Sequence, residues 1–460
     1  MSERSLLLIR PALALAACLA WGNIARAQLP DSASAGLPSA ESAVDTTATP
    51  AAAISGNPAA VNILNGTGKL GELFGFEPDS GIRLGGLWIG DASGVLAGGV
   101  EPGEWGLNSL TIIDLSLDAE KLAGIEGGLF GIDFLQFTGQ PTNSLAGTVQ
   151  GFDSLPGRPP LVRQELYELW WRQEFGERLV VRAGKMVPTY DFNNVSKPVP
   201  VADNAAIIPA VTGVIFTPIF VNPTMLGVMP GYYNSTTGVT VNFLPTEQTY
   251  ISYGAYDGSL ATGDQTGLRG PQFDGHYFHI AEAGFSYRLG DEAKPGMAAV
   301  GIWKQTGSLT AASGASENGA GGVYLFGSQR LWFRHPGVDN SGISGYYQFG
   351  ANDSNALMVR QYFGTGLTAF GLVPGRSSDS FGTGLAWSIL NDDPNAGAHF
   401  APQLPGTEFR SNELMLQWYY QMVVRPGAYL QPAVTYIPNP GVRRDIDAAL
   451  AITLRLTLLF

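Results

Sequence analysis

Residues 446–460 alternate without a break. Ile446, Ala448, Leu450, Ile452, Leu454, Leu456, Leu458 and Phe460 fall on one face of an extended chain, and Asp447, Ala449, Ala451, Thr453, Arg455 and Thr457 on the other. Side chains of a strand point alternately to its two faces. A charge such as Arg455 inside this run must meet water, so one face is apolar and the other wet. The same logic recurs over 411–423, where Leu414, Leu416, Trp418, Tyr420 and Met422 oppose Ser411, Glu413, Gln417, Tyr419 and Gln421. It recurs over 380–389, where Phe381, Thr383, Leu385, Trp387 and Ile389 oppose Ser380, Gly382, Gly384, Ala386 and Ser388. A soluble sandwich also alternates. Its strands, however, are commonly about 5–6 residues, whereas tilted bilayer-spanning strands need about 9–11. Long segments with an aromatic-rich, nearly uncharged face fit a lipid-facing band with a polar lumen behind it.

Composition supports this choice. Charged residues are 14% of the chain, against about a quarter in soluble proteins. No internal run approaches the roughly 20 apolar residues of a spanning helix. Alternating segments are expected near 81–101, 108–118, 127–137, 163–175, 179–186, 237–244, 248–257, 276–289, 297–306, 320–333, 343–351, 356–370, 380–390, 408–423, 427–436 and 446–460. The expected fold is therefore all-β, a transmembrane antiparallel β-barrel of about 16 strands. A barrel of this size encloses an aqueous channel. With Phe460 at the periplasmic end, Gly176-Glu177, Pro245-Thr246-Glu247 and Arg425-Pro426 become short periplasmic turns. The long connections 138–162, 187–236, 258–275, 307–319 and 391–407 then lie outside. Connections 334–342 and 371–379 are long for their side, and 352–355 is short for its own. Segment 187–236 carries Pro188, Pro198, Pro200 and Pro209 and the apolar stretches Ala205–Ile208 and Val214–Phe220. It is the expected constriction; the alternative is a loop that packs only on its outer neighbours.

Residues 1–27 read as a signal peptide, with Arg4 and Arg10, an apolar core Pro11–Trp21 and the small-x-small site Ala25-Arg26-Ala27. Leu15-Ala16-Ala17-Cys18 offers a rival lipobox, but its cysteine sits inside the apolar core. Cleavage after Ala27 would remove Cys18, the one cysteine, and with it any disulfide or thiolate metal site. Residues 28–60 are rich in Ala, Ser, Pro and Thr and read as a disordered tail, leaving 61–460 for the barrel. Acidic residues outnumber basic ones 39 to 26, which argues against nucleic acid as a partner. Location in the bacterial outer membrane follows, with lipid on the apolar face.

Segment Gln164–Glu174 holds the best candidate solute path. Tyr167, Leu169, Trp171 and Phe175 suit lipid; Gln164, Glu168, Trp170, Arg172 and Glu174 then face the lumen, although Leu166 and Gln173 break the pattern. An indole face stacks on an apolar sugar face, while Arg and Glu hydrogen-bond hydroxyls. Arg182 and Lys185 lie nearby and add donors. The plainer reading is a lumen tryptophan under a loop, with Glu168 and Arg172 balancing charge.

Leu166-Tyr167-Glu168-Leu169-Trp170, followed by Val181-Arg182-Ala183-Gly184-Lys185, resembles the carbohydrate-selective porins of the OprB family. So do Asp114-Leu115-Ser116-Leu117-Asp118-Ala119-Glu120-Lys121-Leu122-Ala123-Gly124 and the strand entry Gly127-Gly128-Leu129-Phe130. The likeness spreads over about 65–460. It implies a sixteen-stranded porin that passes glucose and other small sugars, with a homotrimer among its assemblies. Resemblance to outer-membrane proteins generally makes Phe460 an assembly residue, read by the barrel assembly machinery. The strands lack a dense arginine ladder, so a general, polyol or other-solute porin is the alternative.

No catalytic residue, metal site or cofactor is expected. Of His276, His279, His335 and His399, the first two are three apart and point to opposite faces of a strand. The rival classes are a barrel enzyme, with His399 its one vague candidate, and a sealed structural barrel. If the chain is a barrel, unboiled protein migrates differently from boiled protein on denaturing gels; identical migration would remove the barrel reading.

Overall fold

The structure is a computed structural model. It describes residues 67–77, 79–155, 157, 162–195, 211–231, 234–262, 271–310, 316–391 and 410–460. The expected signal peptide and tail, Cys18, His399, and the stretch Ala205–Ile208 lie outside the described residues. Sixteen strands follow in chain order: β1 (Ile82–Ala97), β2 (Trp105–Asp118), β3 (Gly128–Thr138), β4 (Arg163–Phe175), β5 (Leu179–Met186), β6 (Thr236–Thr246), β7 (Thr249–Asp257), β8 (Tyr277–Leu289), β9 (Lys294–Thr310), β10 (Ser316–Phe333), β11 (Gly342–Asn352), β12 (Val359–Phe370), β13 (Ser380–Leu390), β14 (Asn412–Arg425), β15 (Ala428–Ile437) and β16 (Ala449–Leu459). Every expected segment overlaps one of them. Each strand pairs antiparallel with its sequence neighbours, and β16 pairs with β1 to close the barrel. Among the described residues no helix is long and apolar enough to cross a membrane.

The alternation sorts as the sequence demands. On β16, Ala449, Ala451, Thr453, Arg455 and Thr457 are buried inside, while Leu454 on the other row is 45% exposed. On β14, Glu413, Met415, Gln417, Tyr419 and Gln421 are buried inside, and Trp418 faces out. The turns at 176–178, 247–248 and 426–427 sit at the barrel end that carries Phe460. Connections 334–341 and 371–379 share that end, and 353–358 falls at the other, because strict up-and-down pairing leaves no alternative.

The closing seam is fastened on both faces. Inside, Asp91 and Arg455 are direct register partners. Arg455 donates from Nε to Asp91 Oδ1 at 2.7 Å and from Nη2 to Asp91 Oδ2 at 2.5 Å. Both side chains are fully buried, and Nη2 also donates to Ser154 Oγ at 2.8 Å. Two register positions along the seam, Ser93 Oγ meets Thr453 Oγ1 at 3.0 Å. Outside, the Phe460 N–H donates to the Gly86 carbonyl at 2.9 Å, and the Gly86 N–H returns to the Phe460 carbonyl at 2.8 Å. A Cβ on Gly86 would lie 2.5 Å from the Phe460 ring. The missing side chain is what lets the ring pack over Gly86, the aromatic cover used for strand glycines.

Truncating one member of a buried ion pair strands the other charge and costs about 3–5 kcal/mol. Arg455→Gln should therefore lower the temperature at which the heat-sensitive gel band is lost. Replacing both residues by leucine should recover most of that loss. Equal damage from the single and double variants would show that the pair does not act as a unit.

Candidate functional site

The interior is not a simple polar tube. On β1–β3 the inward row carries Leu87, Ile89, Leu110, Ile112, Leu135 and Phe137. These pack with Tyr167 and with Leu155 and Val187, which come from connections between strands. Both faces of this part of the wall are thus apolar, and the expectation of a small and polar inner face is corrected here. The physical reason is that chain from the long connections folds in and gives the inner face a dry partner.

Two connections do this. In 139–157, Phe152, Asp153, Ser154 and Leu155 are buried. Asp153 Oδ2 accepts from Asn108 Nδ2 of β2 at 2.9 Å and from Thr142 Oγ1 at 2.7 Å. In 187–235, the expected stretch Val214–Phe220 lies against the inner wall. Ile215 N donates to Gln417 Oε1 at 2.6 Å, Gln431 Nε2 donates to the Gly213 carbonyl, and Asn352 Nδ2 donates to the Thr224 carbonyl at 2.8 Å. Val214, Ile215, Phe216, Ile219, Phe220 and Met225 share one buried cluster with wall residues Tyr346, Tyr362 and Tyr419. The inward course of 139–157 carried no clear sequence signal: its key contacts are made by backbone and small polar groups.

The wall group on β4 and β5 is built around a bulge. Asp133 pairs with Glu168 and Phe134 with Leu166, so Tyr167 is an extra residue. A bulge of one residue puts the strand on its two sides out of step, so a facing that holds for 168–175 is reversed for 163–166. Tyr167, expected on the lipid side, is therefore fully buried inside, and Gln164, expected in the lumen, is exposed on the outer side. Beyond the bulge the expected facing holds: Glu168, Trp170, Arg172 and Glu174 share the inner row.

Trp170 lies over Gly131 of β3, where a Cβ would sit 2.3 Å from its ring. The Arg182 guanidinium stands 5.5 Å from the Trp170 ring centroid, within cation–π range. Arg182 is held there by an ion pair with Asp191, on the inward connection. Asp191 also accepts from Thr240 Oγ1 of β6 at 3.2 Å. Glu168 Oε1 accepts from the Val187 N–H at 2.7 Å. Glu168, Asp133 and Asp114 are successive register partners, giving a lateral row of three carboxylates across three strands. Arg83 Nη1 closes one end of the row, 2.8 Å from Asp114 Oδ1. The Trp170 indole N–H is buried with no hydrogen-bond partner among the described residues.

Arg172 pairs with Glu174 at 2.6 Å, nearer the short-turn end. Lys185 differs from Arg182 in the facing of its backbone position. It shares the outward row with Ala183 and Val181. Its ammonium donates to the Leu166 carbonyl and lies 3.7 Å from Glu165. The sequence reading missed Asp114, Asp133 and Asp191. The first two were legible by the argument applied to Arg455, since a charge on an alternating strand marks the inner row. Asp191 had no such signal, because its position depends on where a connection turns.

The arrangement sets an aromatic ring, a fixed guanidinium and a row of carboxylates on one wall of a barrel. A small polyhydroxylated solute matches each of these features.

The family model of carbohydrate-selective porins, OprB family, matches residues 111–460. Porin B of Pseudomonas aeruginosa is 23% identical over 418 aligned residues, covering 81% of this chain and 86% of the relative. Among solved structures, the high-pH form of Pseudomonas putida OprB superposes with a TM-score of 0.69 at 21% identity, covering 85% of this chain and 96% of that one. The low-pH form of the same protein gives a TM-score of 0.54 at 16% identity, covering 86% and 97%. At these identities the structures attest the fold.

Asp191→Asn weakens the ion pair that holds Arg182 over Trp170. In a salt gradient across a planar bilayer, the reversal potential should then move toward anion preference. No movement would place the pair away from the conducting path.

Proposed function

The chain belongs to the OprB family of carbohydrate-selective porins, and from that premise we propose that sugars cross its lumen along the β3–β5 wall, in contact with Trp170, Arg182 and the Asp133–Glu168 carboxylates. The protein is a porin of the bacterial outer membrane, and small sugars diffuse through its barrel. The observation that carries the local assignment is the half-buried Trp170 with its unmatched N–H and Arg182 above its ring.

In this reading the inward parts of 139–157 and 187–235 narrow a barrel that would otherwise be wide. Arg172 serves as a charge-balanced neighbour of the path, and Lys185 plays no part in it. The protein acts as a channel without catalysis. Phe460, with its ring over the seam, is the feature read by the assembly machinery, and a homotrimer is the assembly that the family premise favours.

Liposome swelling tests the reading. Monosaccharides should enter faster than amino acids of equal size; equal rates would favour a general porin. Trp170→Ala should weaken sugar block of ion current. Unchanged block would remove Trp170 from the path.

A further inference from the structure

Two inner-wall glutamates outside the proposed path make an unusual set of contacts. Glu282 of β8 accepts from Tyr250 Oη at 2.7 Å, from Tyr324 Oη at 2.8 Å and from the Asn193 backbone N–H at 2.7 Å. The first two donors belong to the wall, on β7 and β10; the third belongs to the inward connection 187–235. The reach from β8 to β10 spans a whole strand. It exists because Glu282, Gly301 and Tyr324 are successive register partners, and Gly301 has no side chain. A Cβ there would lie 2.1 Å from the Tyr324 ring. On the loop side, Asn193 takes a left-handed backbone, φ 52°, a conformation in which asparagine is enriched.

Glu413 of β14, six strands further on, repeats the arrangement with other partners. Its Oε1 accepts from Thr148 Oγ1 at 2.6 Å and from the Gln150 N–H at 2.9 Å. Its Oε2 accepts from the Val149 N–H at 2.9 Å and from the Gly441 N–H at 2.6 Å. Three of these four donors come from the inward connection 139–157. Glu413 and Glu282 are both buried. Carboxylates that accept from backbone N–H groups form charge-assisted bonds, roughly twice as strong as neutral ones. Each glutamate therefore ties one inward connection to a rigid wall, from a point where water does not compete.

We propose that Glu282 and Glu413 are positioning residues that seat the two inward connections and so set the width of the solute path. The proposal rests on the reading that these connections narrow the channel, and it adds which wall groups determine by how much. Neither residue touches the passing solute. Losing one acceptor oxygen leaves a buried donor unmatched, which shifts the seated-to-released balance of a connection by about tenfold or more.

The test is the size cut-off for neutral polyethylene glycols, read as block of potassium chloride current through single channels in planar bilayers. A neutral probe separates width from charge. Glu282→Gln and Glu413→Gln should each move the cut-off to larger polymers and make the open current noisier, while the heat-sensitive gel band persists. Thr148→Val keeps the Glu413 charge but removes one loop donor, so it should give a smaller shift in the same direction. Gly301→Ala keeps the Glu282 charge but displaces Tyr324, and should resemble Glu282→Gln. These two variants decide the matter if a glutamine variant fails to fold. A cut-off unchanged in all folded variants, even with altered ion selectivity, would overturn the proposal. If the cut-off shifts while Trp170→Ala leaves sugar block unchanged, the positioning role stands and the β3–β5 path is what fails. If the glutamates have no effect but deletion of 211–231 widens the channel, the connections narrow it and these anchors do not.

Discussion

Closure of the β1–β16 seam is the constraint on which the rest depends. In hydrocarbon an unpaired N–H or C=O has no water to turn to, so a sheet must join its own edge. Fifteen of the sixteen strand pairs form between sequence neighbours; only the seam brings together residues more than 350 positions apart, as with Asp91 and Arg455. The sequence commits several devices to that pair. The buried ion pair and the Ser93–Thr453 contact favour one register from inside, and the Phe460 ring over Gly86 favours it from outside. A slip of one residue would turn Arg455 toward lipid and Leu454 or Leu456 toward the interior.

Once sixteen strands close, the interior is too wide for wall side chains to fill. The described parts of 139–157 and 187–235 lie against the inner wall, and they bring backbone groups into a space with little water. Each such group needs a partner. Much of the wall's polar chemistry answers that need: Gln417, Gln431 and Asn352 catch the backbone of 211–231, and Glu168, Glu282 and Glu413 catch N–H groups at Val187, Asn193 and 149–150. Ser154 links this interior to closure itself, because it hydrogen-bonds Arg455 of the seam pair. The wall and its contents are therefore one structure.

The strands were legible because their signal is local. Alternation placed all sixteen, and the facing of Glu413, Gln417, Trp418 and Arg455 followed from neighbours two residues away. The β4 bulge was not legible, since Leu166 and Gln173 disturbed the pattern without showing where the extra residue lay; Tyr167 and Gln164 changed sides as a result. Lys185 illustrates the complementary limit. A cation near a candidate site attracts a functional reading, yet the parity of β5 puts it on the opposite face from Arg182. The inward connections lay further beyond sequence reasoning. The apolar run Val214–Phe220 announced burial, but the partners that fix it come from β11, β14 and β15, more than a hundred residues later.

The charge balance gains a physical meaning from this arrangement. An excess of 39 acidic over 26 basic residues reads most simply as a solvated surface, yet Asp91, Asp114, Asp133, Glu168, Glu282 and Glu413 are all buried inside the barrel. Arginine partners match only part of this set. Backbone N–H groups and hydroxyls match much of the rest, because folding a connection inward delivers donors and few cations. A carboxylate suits that role better than a guanidinium, which has no acceptor to offer a backbone N–H. The scarcity of arginine along the strands follows from the same requirement: a wall that must hold peptide N–H groups needs acceptors.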